Sequence, residues 1–145
     1  MDIIICGAGR VGYGIAEKLS AERNSVTIVD ISPELIQTVT TELDVRGIVG
    51  HGSYPSVLKE AGAETADMII AVTYSDEVNM IACQIAHSLF GTPMKISRVR
   101  AQDYLNDQWR DLYSRKNMPI DIIISPEIEI GKAVLRRLNL SLIHI

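Results

Sequence analysis

An apolar run, Ile3-Ile4-Ile5-Cys6, breaks into Gly7-Ala8-Gly9-Arg10-Val11-Gly12 just where an amphipathic segment begins. A continuous β-branched run is how a strand buried on both faces reads, and a turn of residues without a Cβ lets main-chain amides close on a phosphate. From Arg10 the pattern predicts a helix whose unpaired first N–H groups and positive dipole end face that anion. Gly12 lets this helix pack close to the strand. A loop of this kind holds charge without using a charged side chain. The next apolar run, Val26-Thr27-Ile28-Val29-Asp30, ends in an acid 18 residues after Gly12, near the spacing of about 20 at which a carboxylate meets a ribose. Taken together, these features predict a phosphate cradle at Gly7, Ala8, Gly9, Arg10, Val11 and Gly12, with Asp30 on the sugar.

A chain of 145 residues accommodates one domain and leaves little for a second. Its net charge of -4 argues against a nucleic-acid face, because counterion release needs clustered lysine and arginine. Apolar runs such as Met68–Val72 are far shorter than the roughly 20 residues that span a bilayer. Met1-Asp2 followed at once by a strand is expected to leave no room for a signal peptide. Cys6 and Cys83 stand in apolar surroundings with no CxxC pairing, which fits a reduced cytosolic setting.

Apolar runs alternate with 3.6-period stretches, the sequence form of βαβ units. Strands are predicted at about 2–6, 25–30, 46–50, 67–72, 95–99 and 120–124. Helices are predicted between them, with inward stripes Val11, Ile15, Ala16, Leu19 in the first and Leu35, Ile36, Val39, Leu43 in the second, which starts at Ser32-Pro33. A short helix over 54–61 stops at Gly62. The strongest helical pattern, 76–90, has Ser75 as its N-cap and Val78, Ile81, Ala82, Ile85, Ala86 and Leu89 turned inward. Between 103 and 119 the pattern is partly helical, with Trp109 packed inside. A last helix from Pro126 carries two apolar stripes, one of which is expected to face a partner. The expected fold is therefore a Rossmann-type α/β domain, a doubly wound parallel sheet of about six strands with helices on both faces, over residues 1–138. Residues 139–145 read as a truncated end or as residues added in cloning.

Ligands of such sheets sit at the carboxyl edge of the strands, which singles out three further places. Gly50-His51-Gly52-Ser53 ends the third strand and sets His51 near an adenine or ribose; Thr73-Tyr74 ends the fourth. At the end of the fifth stand Arg98 and Arg100, of which Arg98 is the expected phosphate partner. Ile31 after Asp30 offers no cation for a 2′-phosphate, which favours NAD or an adenine mononucleotide over NADP. Asp76 and Glu77 fit the dipole of the helix they start. His51, His87 and His144 lack metal-ligand spacing, neither a GxSxG elbow nor a P-loop occurs, and no acid–base pair accompanies a substrate pocket. Binding without catalysis is the expectation. An oxidoreductase fragment whose substrate domain has been cut away is the alternative, and a scaffold with a degenerate nucleotide site is a third.

The combination Gly7-Ala-Gly-Arg-Val-Gly12, Asp30, Gly50-His-Gly-Ser53, Ala61-Gly-Ala63, Ala71-Val-Thr-Tyr-Ser-Asp-Glu-Val-Asn-Met80 and Arg98-Val-Arg100 resembles the RCK-N, or TrkA-N, domains of regulatory proteins in bacterial Trk potassium uptake. The resemblance covers Met1 to about Leu138. It implies a nucleotide-sensing, non-catalytic domain, cytoplasmic and peripheral on the inner face of the membrane. NAD(H) or ATP/ADP would lie against Gly7 to Val11, Asp30, His51, Thr73, Tyr74 and Arg98. It further implies a homo-oligomer, a dimer or at full length a ring of four, docked on a potassium-translocating subunit of TrkH or TrkG type. Proteins carrying this domain are usually about three times as long, with a second Rossmann half. Arg10 or Arg100 reaching from a neighbouring subunit would couple binding to assembly.

Overall fold

In the computed structural model, residues 1–125 are described. Their strands are β1 (Asp2–Cys6), β2 (Ser25–Asp30), β3 (Arg46–Val49), β4 (Met68–Ala71), β5 (Met94–Arg98) and β6 (Ile122–Ile124). All pair in parallel, in the order β3-β2-β1-β4-β5-β6. That is the predicted doubly wound sheet, and each predicted strand is present, with β3, β4 and β6 shorter than expected and β5 shifted by one residue. The chain reverses direction of travel at β1, so a crevice opens between the exits of β2 and β4.

Helices α1 (Arg10–Ala21) and α2 (Pro33–Glu42) cover one face, α3 (Pro55–Glu60) and α4 (Asp76–Phe90) the other. Side chains alternate along β1 accordingly: Ile3 and Ile5 join Ile15, Leu19 and Val39 on the first face, while Ile4 and Cys6 join Leu58, Met80 and Cys83 on the second. The caps follow local chemistry. The Ser32 and Ser75 hydroxyls accept from the amides of Leu35 and Val78 at 3.2 Å, Pro33 and Pro55 open their helices, and Gly91 closes α4 in the left-handed region at φ 62°.

Three packing expectations are overturned. Leu35 is exposed, as are Ile81 and Leu89 of α4; the buried stripe of α4 is instead Asp76, Asn79, Met80, Ala82, Cys83 and Ala86. Two polar residues hold inward positions because the main chain at the sheet edge needs their hydrogen bonds. Trp109 is half exposed, in two short 3₁₀ turns (Gln102–Leu105 and Asp107–Leu112) where Tyr104, Leu105 and Tyr113 do the packing. The expected last helix and tail lie outside the described residues.

Opposite the crevice, at the entry of β5, Lys95 is 2% exposed. Its ammonium donates to the carbonyls of Thr92 (2.9 Å) and Pro93 (3.3 Å) and pairs with Asp121 at 3.3 Å. The buried charge is thereby compensated on three sides.

Candidate functional site

A cleft of about 620 Å³ opens at the carboxyl edge of β1, β2, β4 and β5, within the range of small-molecule sites. Its centre is the glycine turn. Gly7 sits at φ 113°, and a Cβ there would lie 2.8 Å from the Val72 carbonyl oxygen; its amide donates to Val29 at 2.7 Å. A Cβ on Gly12 would lie 1.7 Å from the Gly7 carbonyl oxygen, so α1 could not approach β1 with any larger residue. Both glycines are thus required by the fold itself.

Gly9 is different. Its φ of -72° suits any residue, and a Cβ would meet only the Tyr74 ring, at 3.5 to 3.9 Å. Gly9 is the N-cap of α1 and has no side chain to occupy the first amides of the helix. The space a side chain would fill is cleft.

On the β2 side, Asp30 is half buried and bonded through both carboxylate oxygens: Oδ2 accepts from the Ala8 amide and Oδ1 from the Ser32 amide, each at 2.8 Å. It ties the glycine turn to the start of α2, and its remaining lone pairs face the cleft that it lines. Beside it, Ile31 and Leu35 form an exposed apolar wall. His51 lines the cleft from the exit of β3; its Nδ1 lies 2.9 Å from Ser53 Oγ, and its ring stacks on Tyr54 at 4.3 Å between centroids. Gly52 passes beneath, where Cys6 Sγ donates to its carbonyl at 3.6 Å. Burial pushes the Cys6 thiol up to about 12, so it stays protonated and inert near neutral pH.

On the β4 and β5 side, Thr73, Tyr74 and Arg98 meet. The Arg98 guanidinium donates to the Thr73 carbonyl at 3.5 Å and stands 5.6 Å from the Tyr74 ring centroid. Burial lowers the Arg98 guanidinium from its ordinary value, and the charge of Arg100 acts in the same direction. Arg10 adds a second cation to the wall from the first turn of α1. The cleft thus carries the Asp30 carboxylate and an apolar wall on the β2 side, the glycine turn and Arg10 at its centre, and Arg98 on the β5 side.

Of the residues singled out in the sequence, Gly7, Gly9, Arg10, Val11, Asp30, His51, Thr73, Tyr74 and Arg98 all line this one cleft. Ala8 and Gly12 do not line it: Ala8 is buried with its amide given to Asp30, and Gly12 faces the Gly7 carbonyl. Arg100 is absent from the wall too; its amide donates to both oxygens of Asp76 at 3.0 Å. Asp76 also accepts from Ala101 at 2.8 Å, and Glu77 accepts from the Tyr104 hydroxyl at 3.0 Å, so these two acids hold the segment after β5 and leave the ligand space to others. Sequence reading missed Ser32, Leu35, Gly52 and, above all, the fully buried Asn79. A polar residue inside an otherwise apolar helical stripe was the signal for Asn79. Among the described residues no group of three or more His, Cys, Asp or Glu could hold a metal ion, and no helix is long and apolar enough to cross a membrane.

The sequence model of the TrkA-N domain matches residues 3–126. The chain belongs to the TrkA-N family. This TrkA-N domain is 63% identical over 140 residues to the Trk system potassium uptake protein TrkA of Azorhizobium caulinodans, covering 97% of the chain and 31% of that relative. It is 54% identical over 127 residues to the protein of the same name from Halomonas elongata, covering 88% and 27%. The chain thus spans less than a third of the length of these relatives. Among solved structures it resembles the TrkA-N domain of the inner membrane protein ybaL from Escherichia coli, with a TM-score of 0.74 at 19% identity over 94% of this chain and 96% of that one. It likewise resembles the GsuK channel bound to NAD, with a TM-score of 0.68 at 18% identity over 86% and 21%. At these identities the likeness is one of fold.

Proposed function

We propose that this TrkA-N domain binds an adenine nucleotide, NAD(H) foremost and ATP or ADP as competitors, and serves as the sensing part of a potassium-uptake regulator without catalysing a reaction. The observation that carries the reading is Gly9, a glycine that no contact within the described chain demands, at an uncapped helix start facing the cleft. The amides at Gly9, Arg10 and Val11 would hold the diphosphate. Asp30 would accept from the ribose hydroxyls, and the lack of a cation at Ile31 and Ser32 disfavours a 2′-phosphate. His51 and the Ile31–Leu35 wall would flank the adenosine, and Arg98 and Arg10 would neutralise phosphate charge. When bound, NAD(H) would report the redox state of the cell; the residues around it bind and orient, and none is set to move a proton to a second substrate.

Regulation by such a domain follows from differential affinity. A ligand shifts a ring of subunits between shapes only by the ratio of its affinities for them, and a tenfold ratio is about 1.4 kcal/mol per site. The names of the relatives support a membrane potassium-translocating subunit as the partner; a homo-oligomer as the working form is part of the proposal and rests on the family resemblance alone. Thermal unfolding with NAD+, NADH, ATP and ADP tests the binding reading, since a ligand of the native state raises the melting temperature by mass action. A rise with at least one of the four is expected; no shift with any at millimolar concentration overturns it.

A further inference from the structure

Asn79 is 0% exposed and spends its whole hydrogen-bonding capacity on the rim of the cleft. Its Oδ1 accepts from the Thr73 amide at 2.8 Å and from the Thr73 hydroxyl at 2.7 Å, while Nδ2 donates to the Thr73 carbonyl at 3.1 Å and the Arg98 carbonyl at 3.0 Å. The Thr73 carbonyl also accepts from the Arg98 guanidinium. One side chain thus grips the exits of β4 and β5 together, where no ladder bond links Thr73 to Arg98. Thr73, Tyr74 and Arg98, which line the cleft on the side away from Asp30, stand on those two segments.

We propose that Asn79 is a positioning residue for the half of the cleft away from Asp30, and so for the part of a dinucleotide that lies beyond its adenosine monophosphate. This rests on the nucleotide reading above. A purely structural buried amide would affect all ligands alike; a positioning role separates them, because adenosine monophosphate would be held by Asp30 and the α1 amides, which Asn79 does not touch. Asn79→Asp keeps the shape and the acceptor facing Thr73 but puts a carboxylate oxygen against the Thr73 and Arg98 carbonyls, which forces them apart.

The test is calorimetric titration of the chain and its variants with NAD+ and with AMP. Asn79→Asp is expected to weaken NAD+ binding about tenfold, about 1.4 kcal/mol, and AMP binding less than about twofold. Equal weakening of both ligands, or of neither, overturns the positioning role while leaving the nucleotide reading intact. Binding of neither ligand by the unaltered chain overturns both. Should Asn79→Asp fail to fold, Thr73→Val removes only the hydroxyl that links Asn79 and Ser75, at a half-buried position. It must then show the same split to a smaller degree, and its absence there is equally fatal.

Discussion

Gly9→Ala separates what the fold needs from what a ligand needs. Its backbone, at φ -72°, costs an alanine nothing, and the added methyl meets the Tyr74 ring at ordinary contact distance, 3.5 Å at the nearest. Losing chain entropy in the unfolded state favours alanine by about 0.4–1 kcal/mol, and the poorer N-cap opposes it by a similar amount, so stability should change by less than about 1 kcal/mol. That is a melting shift of less than about 4 °C for a domain of this size. In the cleft, the methyl takes the space through which, on the proposed reading, a phosphate oxygen would reach the first amides of α1. Loss of one charge-assisted hydrogen bond is worth about 1.5–3 kcal/mol, or about a 10- to 100-fold weaker Kd for NAD+. Gly12→Ala provides the contrast: its Cβ would sit 1.7 Å from the Gly7 carbonyl oxygen, and the strain, about 3 kcal/mol or more, should appear as lost stability. Differential scanning calorimetry with and without NAD+ reads both quantities. If Gly9→Ala binds NAD+ as tightly as the unaltered chain, the cradle is not where the cleft geometry puts it.

Asp30→Ala should lose NAD+ affinity and also about 1–3 kcal/mol of stability, because the Ala8 and Ser32 amides lose their acceptor; urea titration that finds stability unchanged would mean the clamp is idle. Lys95→Met should cost about 1–3 kcal/mol, chiefly by leaving the Thr92 and Pro93 carbonyls without their donor while Asp121 keeps the Lys95 amide, yet leave NAD+ affinity unchanged, since it lies at the far edge of the sheet; denaturation and calorimetry together check this. The Tyr13 hydroxyl donates to Glu42, and that bond above all, with smaller contributions from burial and the charges of Glu42 and Glu17, lifts the phenol from 10.0 to about 12. The native state favours the neutral phenol, so its contribution is complete below about pH 10 and fades as pH rises towards about 12. Tyr13→Phe should therefore flatten that part of the stability–pH curve, and its phenolate absorbance should lose a late-titrating step.

The sheet was legible because its signal is simple: strands buried on both faces, such as Ile3-Ile4-Ile5 and Met68-Ile69-Ile70, have nothing but apolar residues to show. Cap residues made the helix starts at Ser32 and Ser75 equally plain. The inward face of α4 was misjudged because periodicity assigns apolar residues to the core, whereas here Asp76 and Asn79 turn inward to main-chain groups that only the folded edge brings near. Leu35 misled in the opposite sense: an exposed leucine at the mouth of a cleft is apolar wall, and a stripe cannot separate wall from core. Spacing marks Asp30 as a sugar ligand or as the entry cap of the second helix, but not its clamp on Ala8, which only the folded turn brings near across 22 residues. Arg98 and Arg100 stand two residues apart, a spacing that strand periodicity puts on one face, so alternation could not choose between them; what separates them is that β5 ends at Arg98 while the Arg100 amide is given to Asp76.

A common design joins these cases. Asp30 bridges the turn after β1 to the start of α2, Asn79 bridges the exits of β4 and β5, and Asp76 fastens the segment after β5 to α4. Each polar side chain answers two or more backbone groups at an edge where the ladder has ended and the main chain would otherwise spend its hydrogen bonds on water. A rim held by its own side chains in this way would need little further ordering on binding. On the proposed reading, a molecule long enough to touch Asp30 and Arg98 at once would bridge β2 and β5, whereas a shorter one would meet the Asp30 side alone. The proposed distinction between a dinucleotide and a mononucleotide would then be a matter of span, set by the sheet and held in place by the first turn of α4.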